Sequence, residues 1–303
     1  MNRFMLLFAF SAGICINANS QLPSSMKEQL YQHHARAGVG KPYSMVLSPK
    51  CNLLDTCILK VTYSLCFVND TIKRDKMKDI QLLKIGHKVS SCFSYLLYQK
   101  DSTVTALDKK GITTVRIQDE YLFPEEVVTY FTKNQIQVRY RTEYDFTNLC
   151  YVEALPNIQW TLSDGHKNIL GYNCQKALCE FRGRKYIAWY STEIPINAGP
   201  YKFHGLPGLI LAISDMANDY CWECIGIQKG NNNDFVSQYK GKYMKDKTVT
   251  REEIRNIIAR LHKDPAGNLY LSKQSIHIID GGKCYQALSG DFPPEPYNPI
   301  EKE

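Results

Sequence analysis

The chain has 303 residues, 44% of them apolar, and a formal net charge of +7. That apolar share supports a packed core and excludes a wholly disordered chain. The positive charge is spread along the sequence with no dense Lys/Arg block, which argues against nucleic acid as a partner.

In chain order, residues 1–20 read as a secretory signal peptide. Asn2-Arg3 supplies a positive start, Phe4 to Ile16 is apolar, and Ala18 and Ser20 place small residues before a cut at Gln21. Cys15 follows Ile14, whereas a lipid-attachment cysteine follows a small residue. No later stretch is long and apolar enough for a membrane helix, so no transmembrane segment is expected in the mature chain. Localisation is expected to be the periplasm or the outer surface.

Residues 21–50 form an N-terminal extension. A short helix is predicted over 22–36, capped by Ser24 or Ser25 and ended by Gly38 to Pro42. Residues 51–303 read as a single β-rich domain. Ile58–Val68 is a long strand of β-formers. Ile80–Ile85 and Lys88–Tyr98 form a hairpin about Gly86-His87, and 99–123 is irregular. Pro124-Glu125-Glu126 could open a helix, with proline in its first turn. Ile136–Tyr144 reads as an exposed strand. Tyr151–Leu162, Ile169–Phe181 and Lys185–Thr192 are three further strands, with turns at Gly165 and Gly183. Leu209–Ser214 and Tyr220–Gln228 continue the sheet. A helix runs from Thr250 to about His262, with Thr250 and Glu253 spaced as a capping box. The Pro-rich tail from Phe292 is extended. The fold class is therefore mainly β (β-rich α+β): a twisted or partly closed antiparallel sheet with a few short helices.

Gly199-Pro200-Tyr201-Lys202-Phe203-His204-Gly205-Leu206-Pro207-Gly208-Leu209-Ile210 fixes backbone shape with three glycines and two prolines. Pro207-Gly208 suits the centre of a type II turn. Together with Gly171 to Ala177, Phe181 to Tyr190 and the terminal Pro296-Tyr297-Asn298-Pro299-Ile300-Glu301, this stretch closely resembles the GLPGLI family of exported Gram-negative envelope proteins. The resemblance is strongest over residues 158–214. It implies an exported, strand-rich protein, similar to curled-sheet envelope carriers, and brings no activity or catalytic residues with it. The long N-terminal extension and the cysteine content depart from that pattern.

Catalytic patterns are missing: no Gly-x-Ser-x-Gly, His-Glu-x-x-His, Gly-x-Gly-x-x-Gly or Walker loop occurs. No cofactor or metal is expected. The chain holds eleven cysteines. In an exported protein disulfides are plausible, but spacing does not give the pairing. Cys221 and Cys224 have zinc-ligand spacing without a second pair. The candidate ligand-binding set is Arg182, Arg184, Trp189, Tyr190, Tyr201, Lys202, Phe203 and His204, an aromatic and basic cluster fit for an apolar or acidic small ligand or an envelope partner. The same aromatics also fit a packed core. The leading reading is a non-catalytic binding or interaction protein. The alternatives are a secreted hydrolase or thiol-based enzyme using Cys174, Cys221, Cys224 or His204, and a metal-handling protein.

Overall fold

The computed structural model describes residues 5–8, 45–111, 122–142, 147–242, 244–264, 276–280, 283–286, 289–290 and 294–303. The expected cleavage site and the expected helix over 22–36 lie outside these residues. Met5–Phe8, inside the expected signal, is strand β1. It pairs antiparallel with β15 (Ile276–Asp280), which pairs with β16 (Lys283–Gln286).

The main sheet has thirteen strands and is not closed into a barrel. Strand β2 (Asn52–Val68) lies at its centre. On one side the chain meanders through β3 (Lys76–Gly86), β4 (Val89–Ser94), β5 (Glu125–Tyr130), β6 (Gln135–Arg141) and β7 (Thr147–Ala154). It then crosses to the far edge and returns through β8 (Trp160–Ile169), β9 (Tyr172–Phe181), β10 (Arg184–Ser191), β11 (Leu209–Asp215) and β12 (Tyr220–Lys229), which pairs with the free side of β2. Strand β13 (Phe235–Gln238) continues along the same side of β2. Strand β14 (Lys245–Thr248) adds to β7, and theirs is the parallel pair in an otherwise antiparallel sheet. Buried Arg139 secures it, reaching Glu126 at 2.8 Å and Asp246 at 3.0 Å.

Among the described residues two α-helices accompany the sheet. Helix α1 (Tyr95–Asp108) starts at Ser94, whose hydroxyl accepts the Leu97 amide. The expected strand to Tyr98 therefore stops four residues early, because a serine cap terminates the ladder. Helix α2 (Arg251–Lys263) has the expected capping box and buries Ile254 and Ile258. Other expectations need correction: residues 99–108, expected to be irregular, belong to α1, and the strand expected to be exposed at Ile136–Tyr144 buries Ile136 and Val138, because that face of β6 joins the core. Glu125-Glu126 begins β5, since Val127, Val128 and Thr129 pair between β4 and β6 and prefer a strand. The run Tyr151–Leu162 is split between β7 and β8 at Pro156, which has no N–H for a ladder. Gly165 lies inside β8 at a bulge, and the turn is Leu170-Gly171, both at positive φ.

Alternation on β2 sends Val61, Tyr63, Leu65 and Phe67 into the core, where Leu83, Ile85, Tyr220 and Trp222 meet them. The Gly-Pro loop packs onto this face with Tyr201, Phe203 and Leu206 buried. A bulge between Trp189 and Tyr190 interrupts the β10–β11 register, and the buried Tyr63 hydroxyl donates to the Ile210 carbonyl at 2.7 Å. Gly208 does not take the positive φ that a type II turn requires. Its constraint is proximity: a Cβ there would lie 2.1 Å from the Ser191 carbonyl oxygen.

Gly208→Ala should therefore lower stability by about 2–4 kcal/mol, since backbone must move to admit the methyl. Gly226→Ala, whose Cβ would meet nothing nearer than 3.9 Å, should change it by less than about 1 kcal/mol. Urea unfolding of both variants checks this, and equal midpoints would refute it.

Candidate functional site

The Gly-Pro loop carries Tyr201 at φ 55°, a left-handed conformation uncommon for a bulky residue. That turn directs Tyr201 and Lys202 inward. The Lys202 side chain has no solvent exposure. Its ammonium reaches the Tyr151 hydroxyl at 2.7 Å, Glu153 Oε1 at 3.0 Å and Glu301 Oε1 at 2.5 Å. The Tyr201 hydroxyl donates to the same Glu301 oxygen at 2.9 Å, and Arg251 Nε donates to Oε2 at 2.7 Å. Burial alone would raise the Glu301 carboxyl, but Lys202 and Arg251 hold it down to about 2.

A second buried cation fixes the same terminal segment. Arg184 pairs with Asp215 at 2.7 Å and Asp219 at 3.2 Å, and donates to Asn298 Oδ1 and the carbonyls of Pro299 and Ile300. Asn298 in turn donates to the Val68 carbonyl and accepts from Tyr220 through its own carbonyl. Arg182 pairs with Glu153 at 2.9 Å, and its carbonyl accepts the Lys302 amide. The tail is thus held by four of the sequence-selected residues: Lys202, Arg184 and Tyr201 through their side chains, Arg182 through its backbone.

The other selected residues lie elsewhere. Phe203 packs in the core against Tyr186, Phe181 and Trp222. Tyr190 is buried on β10 and donates to Gln175. Trp189 lies half-buried on the same strand. His204 has Nδ1 3.0 Å from the Lys202 carbonyl, and its own carbonyl accepts from Trp160. Burial lowers the His204 pKa, so the ring is neutral at physiological pH.

Where the tail crosses the sheet it leaves a cavity of about 60 Å³, walled by β2, β5–β7, β12, α2 and residues 297–301. Phe67, Phe123, Tyr140, Tyr151, Tyr201, Tyr220 and Tyr297 supply its rings, and Glu125, Arg255, His262 and Glu301 its titratable groups. Tyr201 is the one member of the candidate set that lines it. Burial pushes the Glu125 carboxyl up to about 7, against the opposing pull of Lys202. Burial pushes His262 down to about 4, and its ring stacks on Tyr297 at 4.6 Å. Two carboxyls at one cavity are therefore shifted in opposite directions, Glu125 up to about 7, where it can donate a proton near neutrality, and Glu301 down to about 2, where it stays charged. Sequence reading missed Glu125, Arg255 and His262, which carry no local pattern. Glu301 stands in the terminal segment Pro296–Glu301, where an acid is the available partner for the basic loop.

The nine cysteines among the described residues whose side chains are seen are all free thiols. Cys221 is partly exposed on the outer face of β12, while Cys224 is buried in the core. The two therefore do not converge on one site. No helix among the described residues is long and apolar enough to cross a membrane.

An open, mainly antiparallel sheet with a tail locked across one end defines the structural class. Residues 181–212 match a family described as "Protein of unknown function (Porph_ging)". No curated protein matches the chain. Solved structures of PNGF-II in two crystal forms are similar at 13% identity and TM-score 0.43, covering 69% and 67% of this chain. This chain spans about a third of the length of those proteins, 34% and 32%.

Glu301→Gln should destabilise the protein by about 3–5 kcal/mol at neutral pH, because Lys202 would be left buried without its closest counter-charge. A carboxyl with a depressed pKa contributes stability above its unfolded value and loses it as pH falls through the folded value. The deficit relative to wild type should therefore shrink between pH 4.5 and about 2. Glu125 works in the opposite sense: its raised pKa makes wild type lose stability as pH rises from 4.5 to about 7, and Glu125→Gln should remove that part of the slope. Asp79, raised to about 7 by burial, keeps its own share of the slope in both proteins. Chemical unfolding across pH measures both effects. A deficit independent of pH in Glu301→Gln, or an unchanged slope in Glu125→Gln, would contradict the assignment.

Proposed function

We propose that the chain is an exported envelope protein of the GLPGLI type that binds, without turnover, the carboxylate end of a small acidic ligand in the cavity beneath the tail. The observation that carries this reading is the pairing of Glu125 and Arg255 in one aromatic-walled cavity. A protonated carboxyl donates a hydrogen bond to a carboxylate, and a guanidinium supplies the opposite charge. The volume, about 60 Å³, is well below the roughly 150 Å³ that admits a benzene ring. The inserted part is therefore a carboxyl with a few methylenes, and the rest of a larger ligand would lie in the mouth.

Within this reading Tyr201 touches the ligand. Arg184 and Lys202 position the tail wall, and Arg182 steadies Glu153. Phe203, Tyr190, Trp189 and His204 support the loop and sheet behind it. Export rests on the N-terminal pattern of Asn2 to Ser20.

The split between Glu125 and Glu301 also favours a second reading, hydrolysis with Glu125 as general acid. Against it, both Glu301 oxygens already accept hydrogen bonds from Lys202, Tyr201 and Arg251, which uses the carboxylate's capacity for nucleophilic or base work.

Calorimetry with butyrate as the probe should show saturable binding that weakens at least tenfold in Arg255→Ala, and that weakens in wild type as pH rises through about 7 and Glu125 ionises. Native mass spectrometry of protein purified from its own envelope should show a chain beginning at Gln21 and a reproducible small acidic adduct. Butyrate heat that is absent, or equal in Arg255→Ala, would count against the binding site. A retained leader would count against export.

A further inference from the structure

Strands β2 and β12 join the two arms of the sheet, and their register places Cys66 directly opposite Cys221. Both side chains point away from the core. On β2 the neighbours Leu65 and Phe67 are buried, and on β12 Tyr220 and Trp222 are buried, so by alternation the two thiols share the outer face. Both are partly exposed. Every other described cysteine on a strand faces a different residue type across its ladders. Cα atoms of directly opposed antiparallel residues are about 4.5–5.5 Å apart, inside the range of about 4.4–6.8 Å that a disulfide spans.

We propose that Cys66 and Cys221 form a cross-strand disulfide that staples the two arms of the sheet at their seam. Two thiols lose two protons and two electrons as the S–S bond forms. The acceptor is a disulfide oxidant, such as oxidised glutathione or an oxidised dithiol protein, whose own S–S bond breaks to give two thiols. The reaction passes through a mixed disulfide, and the partial exposure of both sulfurs gives the oxidant access. The two residues are about 155 positions apart in sequence, so the bond closes a large loop of the unfolded chain and restrains it strongly. A partly exposed cross-strand bond is also open to reduction, so the staple is reversible.

The test uses the full chain with and without oxidised glutathione, alkylated under native conditions and digested without reductant. The expected product is a linked pair of peptides, two hydrogens lighter than their sum, holding Cys66 and Cys221. Fragmentation must separate Cys221 from Cys224, which fall in one tryptic peptide. The oxidised protein should melt about 5–10 °C higher than the reduced one. That gain should vanish in Cys221→Ser and in Cys66→Ala, while Cys224→Ser should still form the link. Alkylation of both thiols after oxidant, or a link from either residue to a different cysteine, would overturn the proposal. The wild-type mass readout decides this even if a variant folds poorly.

Discussion

The ammonium of Lys202 is sealed from water, and an ion in that position is tolerable only if charge and hydrogen bonds surround it. Glu301 supplies the charge from the far end of the chain, and Tyr151 and Glu153 complete the shell. Arg184 imposes the same condition, buried between Asp215, Asp219 and the carbonyls of residues 299–300. Neither cation has water to fall back on. A structure with the loop packed and the tail released would strip Lys202 of Glu301 and Arg184 of Asn298 and two carbonyls, leaving each buried cation with only its acids on the sheet side, Glu153 for one and Asp215 with Asp219 for the other. The cavity inherits this dependence, because residues 297–301 form one of its walls.

The sheet places both partners of that interaction. The two arms meet along β2, whose neighbours are β3 on one side and β12 on the other. The chain reaches that seam from the far edge by way of β11, so the loop before β11 lies over the core face near β5 and β7. Close packing of Gly208 on Ser191 and of Gly205, at φ +100°, beside Trp160 sets the height of the loop above the sheet. Larger residues at these points would lift Lys202 from Glu153 and Tyr151. The glycines thus serve the electrostatics as much as the turn.

Much of the fold was legible because strand burial has a short period. Ile58–Val68, Lys185–Thr192 and Leu209–Ser214 fall within observed strands, give or take a terminal residue, and the α2 capping box is a four-residue signal. The errors arose where a local rule had two outcomes. Proline before two acids fits a helix start, yet the β-branched residues that follow found partners in β4 and β6. Gly165 has the look of a turn, but a bulge also wants glycine. Of the site, sequence supplied the basic and aromatic half. Arg182, Arg184 and Lys202 read as receptors for an external acid because their internal acids are distant in sequence. Lys202 lies 99 residues from Glu301, Arg184 lies 31 from Asp215, and Arg182 lies 29 from Glu153. No periodicity or spacing rule links residues that far apart. The raised acid Glu125 was invisible for a related reason, since its pKa belongs to the enclosure formed by five strands, a helix and the tail.

The matched segment, residues 181–212, contains Arg182, Arg184, Lys202 and the loop glycines, but none of Glu125, Arg251, Arg255, His262 or Glu301. It therefore carries the buried cations, while their acceptors Glu153, Asp215, Asp219 and Glu301 and the cavity groups on β5 and α2 lie outside it. A charge socket of this kind constrains sequence tightly, because each buried cation needs its fixed set of acceptors. Glu301 and Tyr151 in the cavity lining share that constraint, because both hold the buried Lys202.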